Sequence, residues 1–147
     1  MPGSLLNILL VDDNSNDVDL LHEAVTRSNV SIALDVAPDG QEALDYLLRG
    51  TETTQARPDL ILLDLNLPRK NGQEVLRELK QHQTLQLIPV VVFSTSNTES
   101  DIMVSYQLGA AAYLVKPTEF ADLIALVQTL SAFWEKIDFA HKLERAR

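Results

Sequence analysis

Short apolar runs alternate along this chain with longer stretches in which apolar side chains return every three or four positions. Leu6–Val11, Leu60–Leu63 and Val90–Phe93 read as buried strands of a parallel sheet, Ala112–Val115 as the last strand, and Ile32–Ala37, which alternates apolar and polar residues, as a half-buried or edge strand. Between them, helical spacing marks Asn14–Ser28 (Val18, Leu21, Val25), Glu42–Leu48, Asn71–Gln81 (Val75, Leu76, Leu79), Glu99–Leu108 and a long segment from about Glu119. Asn14 or Ser15 caps the first helix, with Asp17 and Asp19 favourably placed in its first turn, and Gly109 closes the fourth. Pro38-Asp39-Gly40 is a turn with Asp39 as a turn residue, and 50–57 is a polar loop. Five strands alternating with five helices predict an α/β fold, a doubly wound parallel sheet with helices on both faces.

Two of the buried runs end in acids: Val11 is followed by Asp12-Asp13, and Leu63 by Asp64. The C-terminal edge of an open parallel sheet is where ligands bind, and carboxylates gathered there repel one another unless a cation or proton intervenes. The arrangement predicts a site for Mg²⁺, a hard, oxygen-seeking cation, beside a reactive aspartate. Two further strand ends bring Ser94 and Lys116 to the same edge. Carboxylate nucleophile, metal, hydroxyl and ammonium are the groups needed where charge accumulates on a transferring phosphoryl group.

Composition narrows the alternatives. A chain of 147 residues with 46% hydrophobic and 22% charged residues is globular and suits one domain. The absence of cysteine excludes disulfides, thiolate metal sites and a cysteine nucleophile. A net charge of -9, without a basic stripe, argues against a nucleic-acid partner. Met1-Pro2-Gly3-Ser4 leaves no room for a signal peptide, and no apolar stretch approaches the roughly 20 residues of a membrane span, so a cytoplasmic protein is expected. His22, His82 and His141 lack partners at metal spacing and read as surface residues.

The ordered set Asp12-Asp13, Asp64 with Asn66 and Pro68, Gly72, Ser94, Gly109, Tyr113 and Lys116-Pro117 resembles the receiver domain of two-component response regulators, from about Leu6 to Val127. The resemblance implies a flavodoxin-like receiver fold. It implies that Asp64 is the phosphoacceptor, with a histidine kinase as donor. It further implies that Asp12, Asp13, Asp64 and the backbone carbonyl of Asn66 form the Mg²⁺ site, that Lys116 and Ser94 contact the phosphoryl group, and that Tyr113 turns inward with Ser94 as a switch. The Lys116–Pro117 bond would be cis, as is usual in that family. The hydroxyl position holds Ser94 rather than the more frequent threonine, followed by Thr95 where a small residue is common.

The last helix runs well past the end of a minimal receiver. Phe120, Val127 and Trp134 recur every seven residues, as do Leu123, Leu130 and Ile137, and Leu126, Phe133 and Ala140 form a second stripe. A surface helix needs only one apolar face, and clustered exposed aromatics mark an interface. The expected division is a receiver over 5–130 and a C-terminal helical extension over 131–147. Leu126, Phe133, Trp134 and Ile137 are the expected contacts of a homodimer. So short a tail leaves no room for a DNA-binding or enzymatic module, so output is expected through protein contacts or phosphate relay. Leu67–Gly72, Val90–Ser96 and Phe133-Trp134 also resemble single-domain regulators paired with bacterial phytochrome kinases.

Two other functions use parts of this pattern. A haloacid-dehalogenase-type phosphatase also uses a strand-end aspartate and Mg²⁺, but wants a second Asp two positions on, where this chain has Asn66. A phosphorylation-independent dimeric adaptor would have no need of Asp13, Asp64, Ser94 and Lys116 together.

Overall fold

The apolar runs assemble into one parallel sheet of order β2-β1-β3-β4-β5, with β1 at Leu6–Val11, β2 at Ile32–Ala37, β3 at Leu60–Leu63, β4 at Val90–Ser94 and β5 at Ala112–Val115. The computed structural model describes residues 5–52 and 57–136. The connecting helices are α1 (Ser15–Ser28), α2 (Gly40–Glu52), α3 (Gly72–Gln81), α4 (Glu99–Gln107) and α5 (Phe120–Lys136). The expected doubly wound α/β fold is present.

Alternation within the central strands sorts their side chains onto two faces. Leu9, Val11, Ile61, Leu63, Val90 and Val92 meet Ala43, Leu44 and Leu47 of α2 and Val75, Leu76 and Leu79 of α3. Ile8, Leu10, Leu60, Leu62, Val91 and Phe93 meet Leu21 and Ala24 of α1 and Leu123, Val127 and Trp134 of α5. Strands covered on both faces explain why these runs are apolar apart from Asn7 near the start of β1 and Ser94 at the end of β4. β2 lies at one edge, in keeping with its alternating sequence.

Local signals set most boundaries. Asn14 caps α1, its Oδ1 accepting from the Asp17 N–H at 3.1 Å. Asn71 and Glu74 form a reciprocal capping box at the start of α3. Gly109, at φ 104°, supplies the left-handed turn after α4. α2 departs from expectation: it starts at Gly40 and runs through Glu52, into the segment expected to be a loop. Asp39 is more than a turn residue, because its buried carboxylate accepts from the Glu42 N–H at 2.8 Å and so caps α2 two residues early. Gly50 and Thr51, of low intrinsic propensity, then continue a helix whose inner face is already anchored by Leu44 and Leu47.

α5 passes residue 130 without a break. Trp134 requires a correction as a dimer contact: it is 3% exposed and packs into its own core, on the stripe of Phe120 and Val127 that faces the sheet. Phe133, one residue earlier, points the other way and is 56% exposed. Ile137, Ala140 and His141 lie outside the described residues. Among the described residues no helix is long and apolar enough to cross a membrane.

Candidate functional site

Parallel register builds the site. Val11 stands opposite Leu63, Leu63 opposite Val92, and Ser94 opposite Val115. The residues that follow the strands are therefore neighbours as well. The Asp64 N–H donates to the Val11 carbonyl at 3.0 Å, the Asp12 N–H to the Ala37 carbonyl at 3.1 Å, and the Lys116 N–H to the Ser94 carbonyl at 2.8 Å. Asp12, Asp64 and Ser94 are all buried at this edge, whereas Asp13 is exposed.

Lys116 joins the acids. Its Nζ donates to Asp12 Oδ2 at 2.8 Å, to Asp64 Oδ2 at 2.8 Å and to Asp17 Oδ2 at 2.9 Å, and its side chain is 8% exposed. Burial alone would lower the pKa of this ammonium. Its hydrogen bonds to Asp12, Asp64 and Asp17 outweigh burial and hold it above the ordinary lysine value, so Lys116 stays charged. Burial raises Asp12 above the ordinary aspartate range, helped by the Asp64 charge and opposed by Lys116 and by the Asn14 N–H at 2.9 Å.

Asp12, Asp13 and Asp64 each offer an oxygen, and these atoms all lie within 4.8 Å of one another. An all-carboxylate donor set suits a hard divalent cation, which completes its shell with waters and carbonyls. Such a cation would offset both the burial of the Asp12 carboxylate and the Asp64 charge beside it, which together raise Asp12. The Asn66 N–H lies 3.3 Å from Asp64 Oδ1, which keeps the segment after β3 folded over the carboxylate.

Ser94 and Tyr113 are linked through a third residue. Ser94 Oγ accepts from the Ser96 N–H at 3.2 Å, while the Tyr113 hydroxyl donates to the Ser96 carbonyl at 2.8 Å. The Ser96 hydroxyl in turn donates to Asp101 in the first turn of α4. Tyr113 thus ties β5 to the loop that leaves Ser94.

The Lys116–Pro117 bond is trans, against the cis bond implied by resemblance, and no cis bond occurs among the described residues. Trans is favoured for X–Pro by about 0.5–1 kcal/mol, and Lys116 reaches all three carboxylates with it.

Sequence reasoning brought together Asp12, Asp13, Asp64, Ser94 and Lys116, and missed Asp17 as a member of the group. Asp17 lies in the first turn of α1, the helix that leaves the same strand end, and that placement is the signal that would have found it. The tie between Arg69 Nη1 and Asp39 Oδ2, at 3.2 Å, was also unread; it fastens the loop after β3 to the start of α2.

Comparison with known proteins agrees with this architecture. The family described as "Response regulator receiver domain" matches residues 8–128. Response regulator Rcp1 of Synechocystis sp. is 44% identical over 128 residues, which span 86% of this chain and 87% of that protein. The phosphorylated cyanobacterial phytochrome response regulator RcpA superposes with a TM-score of 0.83 at 42% identity, covering 93% of this chain and 99% of that one. The Mn²⁺-bound form of Rcp1 superposes with a TM-score of 0.79 at 42% identity, covering 91% and 98%.

Proposed function

This chain belongs to the response regulator receiver family of two-component signalling, and on that premise we propose that Asp64 accepts a phosphoryl group from a sensor histidine kinase of the bacterial phytochrome type. The observation that carries the assignment is the Lys116 ammonium held 2.8 Å from Asp64 Oδ2, beside a second buried carboxylate and within a divalent-cation donor set. A carboxylate oxygen of Asp64 attacks the phosphorus of the kinase phosphohistidine. The P–N bond breaks with its electron pair returning to the imidazole, and an acyl phosphate forms on Asp64. Hydrolysis by water at phosphorus restores the carboxylate, so the protein promotes only its own phosphorylation and dephosphorylation.

We take the cation to be Mg²⁺, held by Asp12, Asp13, Asp64 and the Asn66 carbonyl; bound there it would neutralise charge on the transferring oxygens. Lys116 keeps a positive charge against the phosphoryl group, and the Ser94 hydroxyl donates to it. Ser94 and Tyr113 then act as the switch, a role supported by the Ser96 carbonyl that Tyr113 holds.

Output runs through protein contacts. The receiver over 5–130 would carry the chemistry, and the helical extension over 131–147 would help form a homodimer. Exposed Phe133 and the partly buried Leu126, which line an apolar groove of about 380 Å³ beneath α5, support that reading. Met103 and Tyr106 of α4 and Val115 of β5 are exposed as well. We place this exchange in the cytoplasm, where a kinase domain has ATP.

Intact-protein mass after incubation with Mg²⁺ and acetyl phosphate tests the acceptor. Wild type is expected to gain one phosphoryl group and Asp64→Asn none. Equal gain in both would move the acceptor elsewhere. No gain from either acetyl phosphate or a phosphorylated kinase would leave a phosphorylation-independent adaptor.

A further inference from the structure

Lys116 has no hydrogen-bond donor to spare. An ammonium carries three N–H groups, and here each has a carboxylate acceptor: Asp12, Asp64 and Asp17. Two of those acceptors, Asp12 and Asp64, also belong to the trio whose oxygens converge within 4.8 Å, and Asp17 does not. A cation entering the trio competes with Lys116 for Asp12 and Asp64, and phosphorylation of Asp64 abolishes the carboxylate acceptor and moves the negative charge onto the phosphoryl oxygens. Asp17 is the one partner untouched by either event.

We propose that Asp17 is a positioning residue for phosphoryl transfer, anchoring the Lys116 ammonium while the other two carboxylates are engaged. The inference rests on Asp64 as acceptor, as argued above.

Asp17 is built to hold still. Its N–H donates to Asn14 Oδ1 at 3.1 Å, and the Asn14 N–H donates to Asp12 Oδ1 at 2.9 Å, so the first turn of α1 is tied back to the strand end. The carboxylate lies in that first turn, where the helix dipole favours an anion. Lys116 needs such an anchor. It presents a compact charge on a flexible four-carbon stem, and a misplacement of about 1 Å costs on the order of a hundredfold in rate. The competing account is an ordinary surface ion pair: the Asp17 side chain is 33% exposed, and such pairs add little to stability and nothing to chemistry.

The test compares wild type, Asp17→Asn, Asp17→Glu, Lys116→Met and the double variant Asp17→Asn/Lys116→Met, all with acetyl phosphate. For Asp17→Asn the plateau phosphorylation rate is expected to fall about tenfold, with the half-saturating phosphodonor concentration little changed. Asp17→Glu should recover part of the loss. In the Lys116→Met background, adding Asp17→Asn should change the rate by less than about twofold, because its effect passes through the lysine. A second measurement, Mn²⁺ affinity by titration, reads the site without phosphorylation. Asp17→Asn should keep wild-type affinity within about threefold, whereas Asp12→Asn should lose more than about tenfold.

An Asp17→Asn rate equal to wild type would overturn the proposal. So would an undiminished effect in the Lys116→Met background, or a loss of Mn²⁺ affinity matching that of Asp12→Asn, which would make Asp17 a ligand. If wild type takes no phosphoryl group on Asp64 from acetyl phosphate or from a phosphorylated kinase, the proposed function fails with it. If wild type is phosphorylated and Asp17→Asn matches it, only this inference fails.

Discussion

Gly72 presses against the backbone of Asp64: a β-carbon built at residue 72 would collide with the Asp64 carbonyl oxygen and the Leu65 Cα. The approach is drawn tight by the Gly72 N–H, which donates to the Leu65 carbonyl at 2.9 Å. The start of α3 is thereby packed onto the residue proposed as acceptor. Gly72→Ala is expected to destabilise the fold by about 3 kcal/mol, because backbone rather than a movable side chain must yield. It should also displace Asp64 and slow phosphorylation. Urea melts and phosphorylation rates check both effects, and wild-type behaviour in both would show that the loop yields freely.

Removing charge from the buried acids should stabilise the metal-free fold. Asp12 is buried against Asp64, and Lys116 retains two other acceptors without it. In chelator, Asp12→Asn is expected to be more stable than wild type by about 1 kcal/mol. Saturating Mg²⁺ should reverse the order, since at about a hundred times Kd a ligand adds about 2.7 kcal/mol to the form that binds it. Thermal melts with and without Mg²⁺ measure both parts, and lower stability of the variant in chelator would contradict the first.

Trp134 and Phe133 should separate folding from assembly. Trp134→Ala empties a buried site and is expected to cost about 3–5 kcal/mol of stability. Phe133→Ala, on the exposed side, should change monomer stability by less than about 0.5 kcal/mol while weakening any dimer. Denaturant melts and sedimentation read the two effects independently. Equal self-association of phosphorylated and unphosphorylated protein would show that phosphate does not bias the dimer.

Lys80 carries a pH prediction. Its Nζ donates to the Gln86 and Ile88 carbonyls at 3.0 and 3.2 Å, and burial lowers its pKa. Protonated Lys80 therefore costs stability at neutral pH, and the cost is relieved as pH rises through the folded-state pKa toward the unfolded value. The neutral amine keeps two N–H groups for the same carbonyls. Melting temperatures of wild type and Lys80→Met compared over this range should show wild type gaining on the variant as pH rises. A constant difference would mean that Lys80 titrates as it does unfolded.

Strands were legible because their composition follows from being covered on both faces, and helix starts at Asn14 and Asn71 because a capping side chain acts within a few residues of itself. The early start of α2 was less legible. Asp39-Gly40 is equally a turn and a helix start, and Gly40 sits so close to the Lys70 carbonyl that the distant loop after β3 shares in the outcome. The two faces of α5 posed the same problem. Its sequence shows more than one apolar stripe, and only burial in the cluster that includes Leu60, Leu62 and Val91 shows that Trp134 belongs to the core, while Phe133 stays at the surface.

By itself the sequence determined that acids, a hydroxyl and a lysine stand at the ends of parallel strands, because strand periodicity and strand ends are local properties. Tertiary structure alone decided how those ends share hydrogen bonds. Lys116 is 52 residues from Asp64, 99 from Asp17 and 104 from Asp12 along the chain, and one ammonium meets all three. Which carboxylates it reaches depends on sheet register, on the angle at which α1 leaves β1 and on a side chain of several rotatable bonds, none of which leaves a periodic trace in the sequence.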